Sequence, residues 1–176
     1  MSAAAALAAR RAVGQAVPVT TPRLARPDDA DACVAVLQAL PDFFTLNTHA
    51  EIREAVAGGH RAWVAPGADR IVGVVVVEQR FPRTAEITFA AVMPERRNHG
   101  IGTALVEQAL AELAREGVAV VEVKTLDASA GYEPYVPTRA FWERRGFVQI
   151  DCISPLPGWD AESPAAIYAA SLTVTT

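Results

Sequence analysis

The chain has 176 residues, about half of them apolar, with a formal net charge of −4, two cysteines and no long apolar run. Such a length fits one globular domain with a full core and would cramp two. The acidic balance excludes a broad basic surface for nucleic acid; the absence of a run near the roughly 18 apolar residues of a membrane span excludes a crossing helix; and cysteines without CxxC or histidine spacing exclude a metal centre.

Residues 1–17 are Ala-rich and read as a flexible extension before a domain of residues 18–176. No acid precedes Asp28, but serine is scarce and the arginines follow the apolar stretch, which argues against a targeting peptide. Val19 to Arg26 reads as a strand. Pro27-Asp28-Asp29 then opens a helix continuing from Ala30 to Leu40, because proline and acids suit a first helical turn. Pro41-Asp42 breaks it, and Thr48 to Ala57 reads as a second helix closed by Gly58-Gly59.

Arg61 to Ala65 and Ile71 to Arg80 form an expected hairpin about Pro66-Gly67, with the unalternating run Val74 to Val77 buried on both faces. Thr84 to Val92 is the next strand. Thr103 to Glu116 repeats apolar residues at helical spacing and ends at Gly117, and Val118 to Leu126 reads as a second buried strand. After the loop Asp127 to Val136, a short helix from Thr138 to Arg145 stops at Gly146, and Phe147 to Ile153 pairs with Ala165 to Thr173. The expected fold is an α/β mixed sheet of about seven strands and four helices, antiparallel at its start, with one parallel strand-helix-strand unit. Cys33 and Cys152 are expected as buried, reduced thiols in a cytoplasmic protein.

Most of the functional signal lies in Val92-Met93-Pro94-Glu95-Arg96-Arg97-Asn98-His99-Gly100-Ile101-Gly102, which joins a strand to a helix. A helix N-terminus leaves four N–H groups unpaired and carries partial positive charge, so this turn suits a phosphate or pyrophosphate. Glycines at 100 and 102 remove Cβ atoms that would keep a ligand off the backbone. Gly100-Ile101-Gly102-Thr103-Ala104 also matches part of a dinucleotide fingerprint, with Glu122 about 20 residues on, where a ribose-binding acid would stand. Against a dinucleotide oxidoreductase, Pro94 to His99 separates the strand from the first glycine, and antiparallel strands precede the unit.

Arg97-Asn98-His99-Gly100-Ile101-Gly102, preceded by Val92-Met93-Pro94, resembles the acetyl-CoA loop of the GNAT superfamily of N-acetyltransferases. Phe141-Trp142-Glu143-Arg144-Arg145-Gly146-Phe147 resembles the closing segment of the same family, and the element order agrees from about residue 18 to 174. The resemblance implies the GNAT acyl-CoA N-acyltransferase fold, whose strands part beside the glycine-loop helix to admit the pantetheine arm. It implies that N–H groups of Arg97, Asn98, His99, Gly100, Ile101, Gly102 and Thr103 hold the pyrophosphate. Main-chain groups of Ala90, Ala91 and Val92 would pair with the pantetheine amides, the Val92 N–H serving as oxyanion donor. No metal is implied.

The run Ala85-Glu86-Ile87-Thr88-Phe89-Ala90-Ala91-Val92 is similar to the histone-acetyltransferase branch, and the similarity makes Glu86 the general base. Glu86 could instead only pair with Arg83 or Arg80 at a sheet edge. The family's usual general acid, a tyrosine, falls at Trp142, and indole is no practical acid. Tyr135 and Tyr132 are the replacements, with packing as the competing role. Glu122 is expected to be neutralised by Arg61 or by Lys124, the only lysine of the chain. Phe43, Phe44 and Trp159 are candidates for the acceptor-site wall or the core, and His49, His60 and His99 for surface positions.

The expected activity is acetyl transfer from acetyl-CoA to a primary amine of a small molecule or protein, by direct attack in a ternary complex. No nucleic acid or membrane partner is expected, and a homodimer is allowed. The competing function on the same fold is a non-catalytic acyl-CoA sensor.

Overall fold

The structure, a computed structural model, describes residues 21–173. The expected extension at residues 1–17 lies outside them. In chain order the elements are β1 (Arg23–Leu24), α1 (Ala30–Gln38), α2 (Leu46–Ala57), β2 (Arg61–Pro66), β3 (Ile71–Phe81), β4 (Thr84–Val92), α3 (Ile101–Arg115), β5 (Val120–Leu126), α4 (Val136–Glu143), β6 (Val148–Ile153) and β7 (Ala165–Ser171). Helices α2 and α3 each start two residues before their expected first residue. No helix among the described residues is long and apolar enough to cross a membrane.

One seven-stranded sheet holds the molecule together, in the order β1-β2-β3-β4-β5-β7-β6. Neighbours are antiparallel except β4 and β5, whose connection through α3 makes them parallel. Both α1 and α3 pack on β3. That strand is buried at every position from Ile71 to Val77, which accounts for its unbroken apolar run. Helix α3 presents Leu105, Val106, Ala109 and Leu113 to the core, three and four residues apart as one helical face requires.

Two expectations about burial fail. Strand β5 is not buried on both faces: Val121, Val123 and Thr125 are buried, while Glu122 and Lys124 alternate with them on an open face. The valines at 118, 120, 121 and 123 make the run apolar enough to suggest a covered strand, but Glu122 and Lys124 line an open pocket. Cys152 is exposed, because β6 ends the sheet with β7 as its only neighbour among the described residues and all its residues face solvent. Cys33 is buried as expected, and burial pushes its thiol up to about 12, which makes it an inert core residue.

The loop after β5 is tied to the sheet by Asp127, whose Oδ1 accepts from the Ser129 hydroxyl at 2.7 Å and N–H at 2.9 Å. Its Oδ2 accepts from the Gln149 amide at 2.8 Å. These donors hold the carboxyl down at about 2, below its ordinary 3.8. A depressed carboxyl stabilises the fold fully above its unfolded value and loses that contribution as pH falls toward its folded value. Asp127→Asn is therefore expected to cost about 1–2 kcal/mol at pH 7. The gap between variant and wild type in urea unfolding should narrow as pH drops from about 4 toward about 2. A gap that stays constant over that range would mean that Asp127 acts only through neutral hydrogen bonds.

Candidate active site where two strands part

The glycine turn folds as a short cradle. Pro94–Arg96 forms a 3-10 turn, Asn98 and Gly100 take left-handed conformations with φ of 62° and 78°, and α3 begins at Ile101. Glycine takes this conformation without strain and asparagine more readily than most residues, so the two positions suit their backbone. The first helical bond runs from the Ala104 N–H to the Gly100 carbonyl at 2.9 Å. Among the described residues, no N–H from Asn98 to Thr103 has a backbone acceptor. A row of free donors at a helix start is an anion site by both charge and geometry. The His99 ring is exposed and its Nδ1 lies 2.7 Å from the Arg97 carbonyl oxygen.

The two glycines do different work. At Gly100 a Cβ would meet nothing within 4 Å, so the need is conformational, whereas at Gly102 it would lie 3.2 Å from the Phe141 ring. Gly102 was expected to open the backbone to a ligand; its missing side chain instead makes room for Phe141 of α4. Arg145 stacks on that ring at 3.4 Å, donates to the Phe141 carbonyl at 2.7 Å and bonds the Thr103 hydroxyl. The Phe-Trp-Glu segment thereby braces the first turn of α3.

Strands β4 and β5 pair only at their starts, from Thr84 opposite Val120 to Ile87 opposite Val123. Beyond that point they part. Ala90, Ala91 and Val92 pair with Val75, Val74 and Gly73 of β3 on one side and with nothing in β5 on the other. Their main chain thus offers an open edge of the kind to which an extended amide chain can add. Ala91 points its side chain into the core. A bulge at Thr88, the extra residue between Ile87 and Phe89 opposite β3, turns the strand at the parting point.

Glu86 lies one residue before the last paired position, directly across from Glu122. Parallel register puts both side chains on the same open face, together with Lys124 two residues further along β5. Lys124 Nζ bridges them, 2.7 Å from Glu86 and 2.6 Å from Glu122. Burial alone would lower the Lys124 pKa, but its hydrogen bonds to Glu122 and Glu86 outweigh that and raise it. Arg80 stands 3.8 Å from Glu86 and 2.8 Å from Glu78, while Arg83 makes no ion pair among the described residues. Arg61 does not serve Glu122; it pairs with Glu112 of α3 and with Glu116 at the end of that helix, and lies over the Trp63 ring. An open pocket of about 340 Å³ is lined by Glu78, Arg80, Phe81, Glu86, Glu122 and Lys124 among others.

The aromatic candidates divide. Tyr135 packs with Phe43 at 5.1 Å and Tyr132 at 6.0 Å, and Arg97 of the cradle lies over Phe43. Burial raises the Tyr135 phenol above its ordinary value, so it stays protonated at neutral pH. Trp142 is 3% exposed, held edge-on between Phe141 and Phe147. It belongs to the core. Phe43 and Phe44 are half-buried against the core, Trp159 sits exposed in the loop before β7, and His60 is exposed. His49, expected at the surface, is half-buried with both ring nitrogens enclosed.

The bridge from Lys124 to Glu86 and the approach of Glu78 to the same pocket were not legible in the sequence, whereas the Lys124–Glu122 pair and the approach of Arg80 to Glu86 were among its expectations. The alternation Glu122-Val123-Lys124 signals a shared face, but its alignment with Glu86 depends on strand register. Cradle, open strand edge and carboxylate pocket now lie along one line of β4, from its end to its start.

Comparison with known proteins agrees with this geometry. A family model described as "Acetyltransferase (GNAT) family" matches residues 33–147. An uncharacterized N-acetyltransferase of Chlorobaculum tepidum is 35% identical over 89 residues, which span 51% of this chain and 50% of that protein. The chain thus matches about half the length of this curated relative. A GNAT-family structure from Desulfovibrio desulfuricans superposes with a TM-score of 0.73 at 24% identity, covering 85% of this chain and 97% of its own. One from Elizabethkingia anophelis with acetyl-CoA bound gives 0.57 at 19% identity, covering 76% and 91%. At those identities the structures speak for the fold alone. The matched model covers well over half of the sequence, and the chain belongs to the GNAT family of acetyltransferases.

Proposed function

We propose that this chain transfers the acetyl group of acetyl-CoA to a primary amine by direct attack in a ternary complex, with Glu86 as general base. The observation that carries this reading is the position of Glu86 beside the point where β4 and β5 part. From Glu86 to Val92 the strand advances about 20 Å at roughly 3.3 Å per residue. A pantetheine arm laid along that edge from the cradle would bring its thioester toward Glu86.

In this reading the N–H groups of residues 98–103 hold the pyrophosphate, while that of Arg97, expected among them, donates to the Pro94 carbonyl at 3.2 Å; the β4 edge from Ala90 to Val92 holds the pantetheine amides. The Val92 N–H is the proposed oxyanion donor. An amine with a pKa of about 10.4 is protonated at pH 7, and freeing its lone pair costs on the order of 4–5 kcal/mol. Glu86 accepts that proton as Lys124 withdraws to Glu122, its other partner. Tyr135 is the proposed donor to the departing thiolate, and its retained proton suits the part. The acceptor is a cationic amine of a small molecule or protein, and two free thiols fit a cytoplasmic setting.

A thiol-release assay with acetyl-CoA and an amine panel tests the reading. Turnover with at least one amine is the expected result, and Tyr135→Phe should lower kcat about tenfold or more if it donates the proton. Coenzyme A binding without turnover by any amine supports a non-catalytic sensor instead. Full turnover by Tyr135→Phe removes that residue from the chemistry and leaves the rest intact.

A further inference from the structure

Lys124 holds the place that an acceptor amine would have to take. Its Nζ is 2.7 Å from Glu86, within the 2.6–3.2 Å reach a base needs of the nitrogen it serves. It belongs to the first residue of β5 beyond the last paired position, so its stem rises from the apex where the strands part. Its side chain is 21% exposed, withdrawn from bulk solvent but lining the open pocket. No other lysine exists in the chain. A primary amine, a carboxylate within proton-transfer distance and an open strand edge leading to both are the parts of an acetyl-transfer site with its acceptor built in.

We infer that the protein acetylates itself on Lys124, an inference that rests on Glu86 acting as the base. One ammonium proton of Nζ passes to the Glu86 carboxylate and from there to solvent. The freed lone pair attacks the thioester carbonyl carbon of acetyl-CoA. The C–N bond forms, the C–S bond breaks, and the second nitrogen proton leaves with the sulfur, so that the products are the Lys124 amide and coenzyme A as its thiol.

The modification changes the pocket. A neutral amide cannot bridge two carboxylates, so Glu86 and Glu122 lose their shared cation. Glu78, Glu86 and Glu122 then line the pocket with Arg80 as its remaining basic residue. Glu86 is left open as a base for an external amine, and the pocket becomes more attractive to a cationic one. Self-transfer is thus a way to remove the internal competitor.

The test uses the full chain and acetyl-CoA carrying a heavy-isotope acetyl group, followed by intact mass and peptide mapping. The expected result is one acetyl group on Lys124, incorporated at a first-order rate independent of protein concentration and at least tenfold slower in Glu86→Gln. Lys124→Arg should take up none at that position. A coenzyme A thermal shift of the Glu86→Gln protein establishes that this variant is folded. Equal labelling of wild type and folded Glu86→Gln overturns the inference, since the label then comes from solution chemistry. So does an unlabelled Lys124 in wild-type protein that releases thiol with an added amine, a result that leaves Glu86 as the base. If Glu86→Gln leaves amine-dependent thiol release unchanged, it is the base assignment that fails.

Discussion

Glu86→Gln is expected to lower kcat by about 100-fold at neutral pH, the lower end of what a positioned general base contributes, with KM for acetyl-CoA changed less than about twofold. The amide keeps the shape and half-buried position of the side chain but cannot take a proton from an ammonium group. Binding of the donor should be spared, because the cradle lies beyond the other end of β4, whose last residue Val92 is six residues from Glu86. Folding should also survive. Lys124 retains Glu122 at 2.6 Å, and Arg80 retains Glu78 at 2.8 Å, so no cation is left without a carboxylate. Steady-state kinetics with a responsive amine checks this. A kcat within about threefold of wild type would reduce Glu86 to a partner of Lys124 and leave deprotonation to water.

Trp142→Ala is expected to destabilise the fold by about 3–5 kcal/mol, as truncation of a buried aromatic side chain does. The indole is enclosed between Phe141 and Phe147, at 5.0 and 5.2 Å. Its loss would also free Phe141, which fills the space Gly102 leaves and carries the Arg145 guanidinium toward Thr103. Weaker coenzyme A binding should therefore accompany the lower stability. Trp142→Phe keeps most of the packing and is expected to keep turnover, because an indole supplies no acid at neutral pH. Urea unfolding and kcat on the two variants separate the roles. A Trp142→Phe protein of near wild-type stability that loses more than about tenfold in kcat would give the indole a part in the reaction.

Much of this site is legible in local sequence, for physical reasons. The cradle is made by consecutive backbone groups, and Gly100 with its left-handed φ marks it without help from any distant residue. Glu86 sits within a strand whose alternation Ala85-Glu86-Ile87 assigns it to the open face. What local pattern misjudges depends on neighbours. Gly102 looks like a ligand contact until Phe141 is placed against it. Val118 to Leu126 looks like a covered strand because apolar content reports preference for burial, while covering requires an element on each side. Cys152 has a strand-like setting, but its strand ends the sheet.

The sequence by itself determined the order of elements, the glycine turn and the place of Glu86 on the open side of its strand, since each is encoded in residues contiguous along the chain and in the periodicity of helix or strand. Only the tertiary structure decided what Glu86 faces. Parallel register sets Glu86 opposite Glu122, and the last paired step at Ile87 and Val123 puts Lys124 at the apex. A shift of that register by one residue would send Glu122 and Lys124 to the other face of the sheet. No local pattern specifies the alignment of two strands separated by a helix. It is set by how α3 packs across the sheet, and with it the ion pair between Glu86 and Lys124.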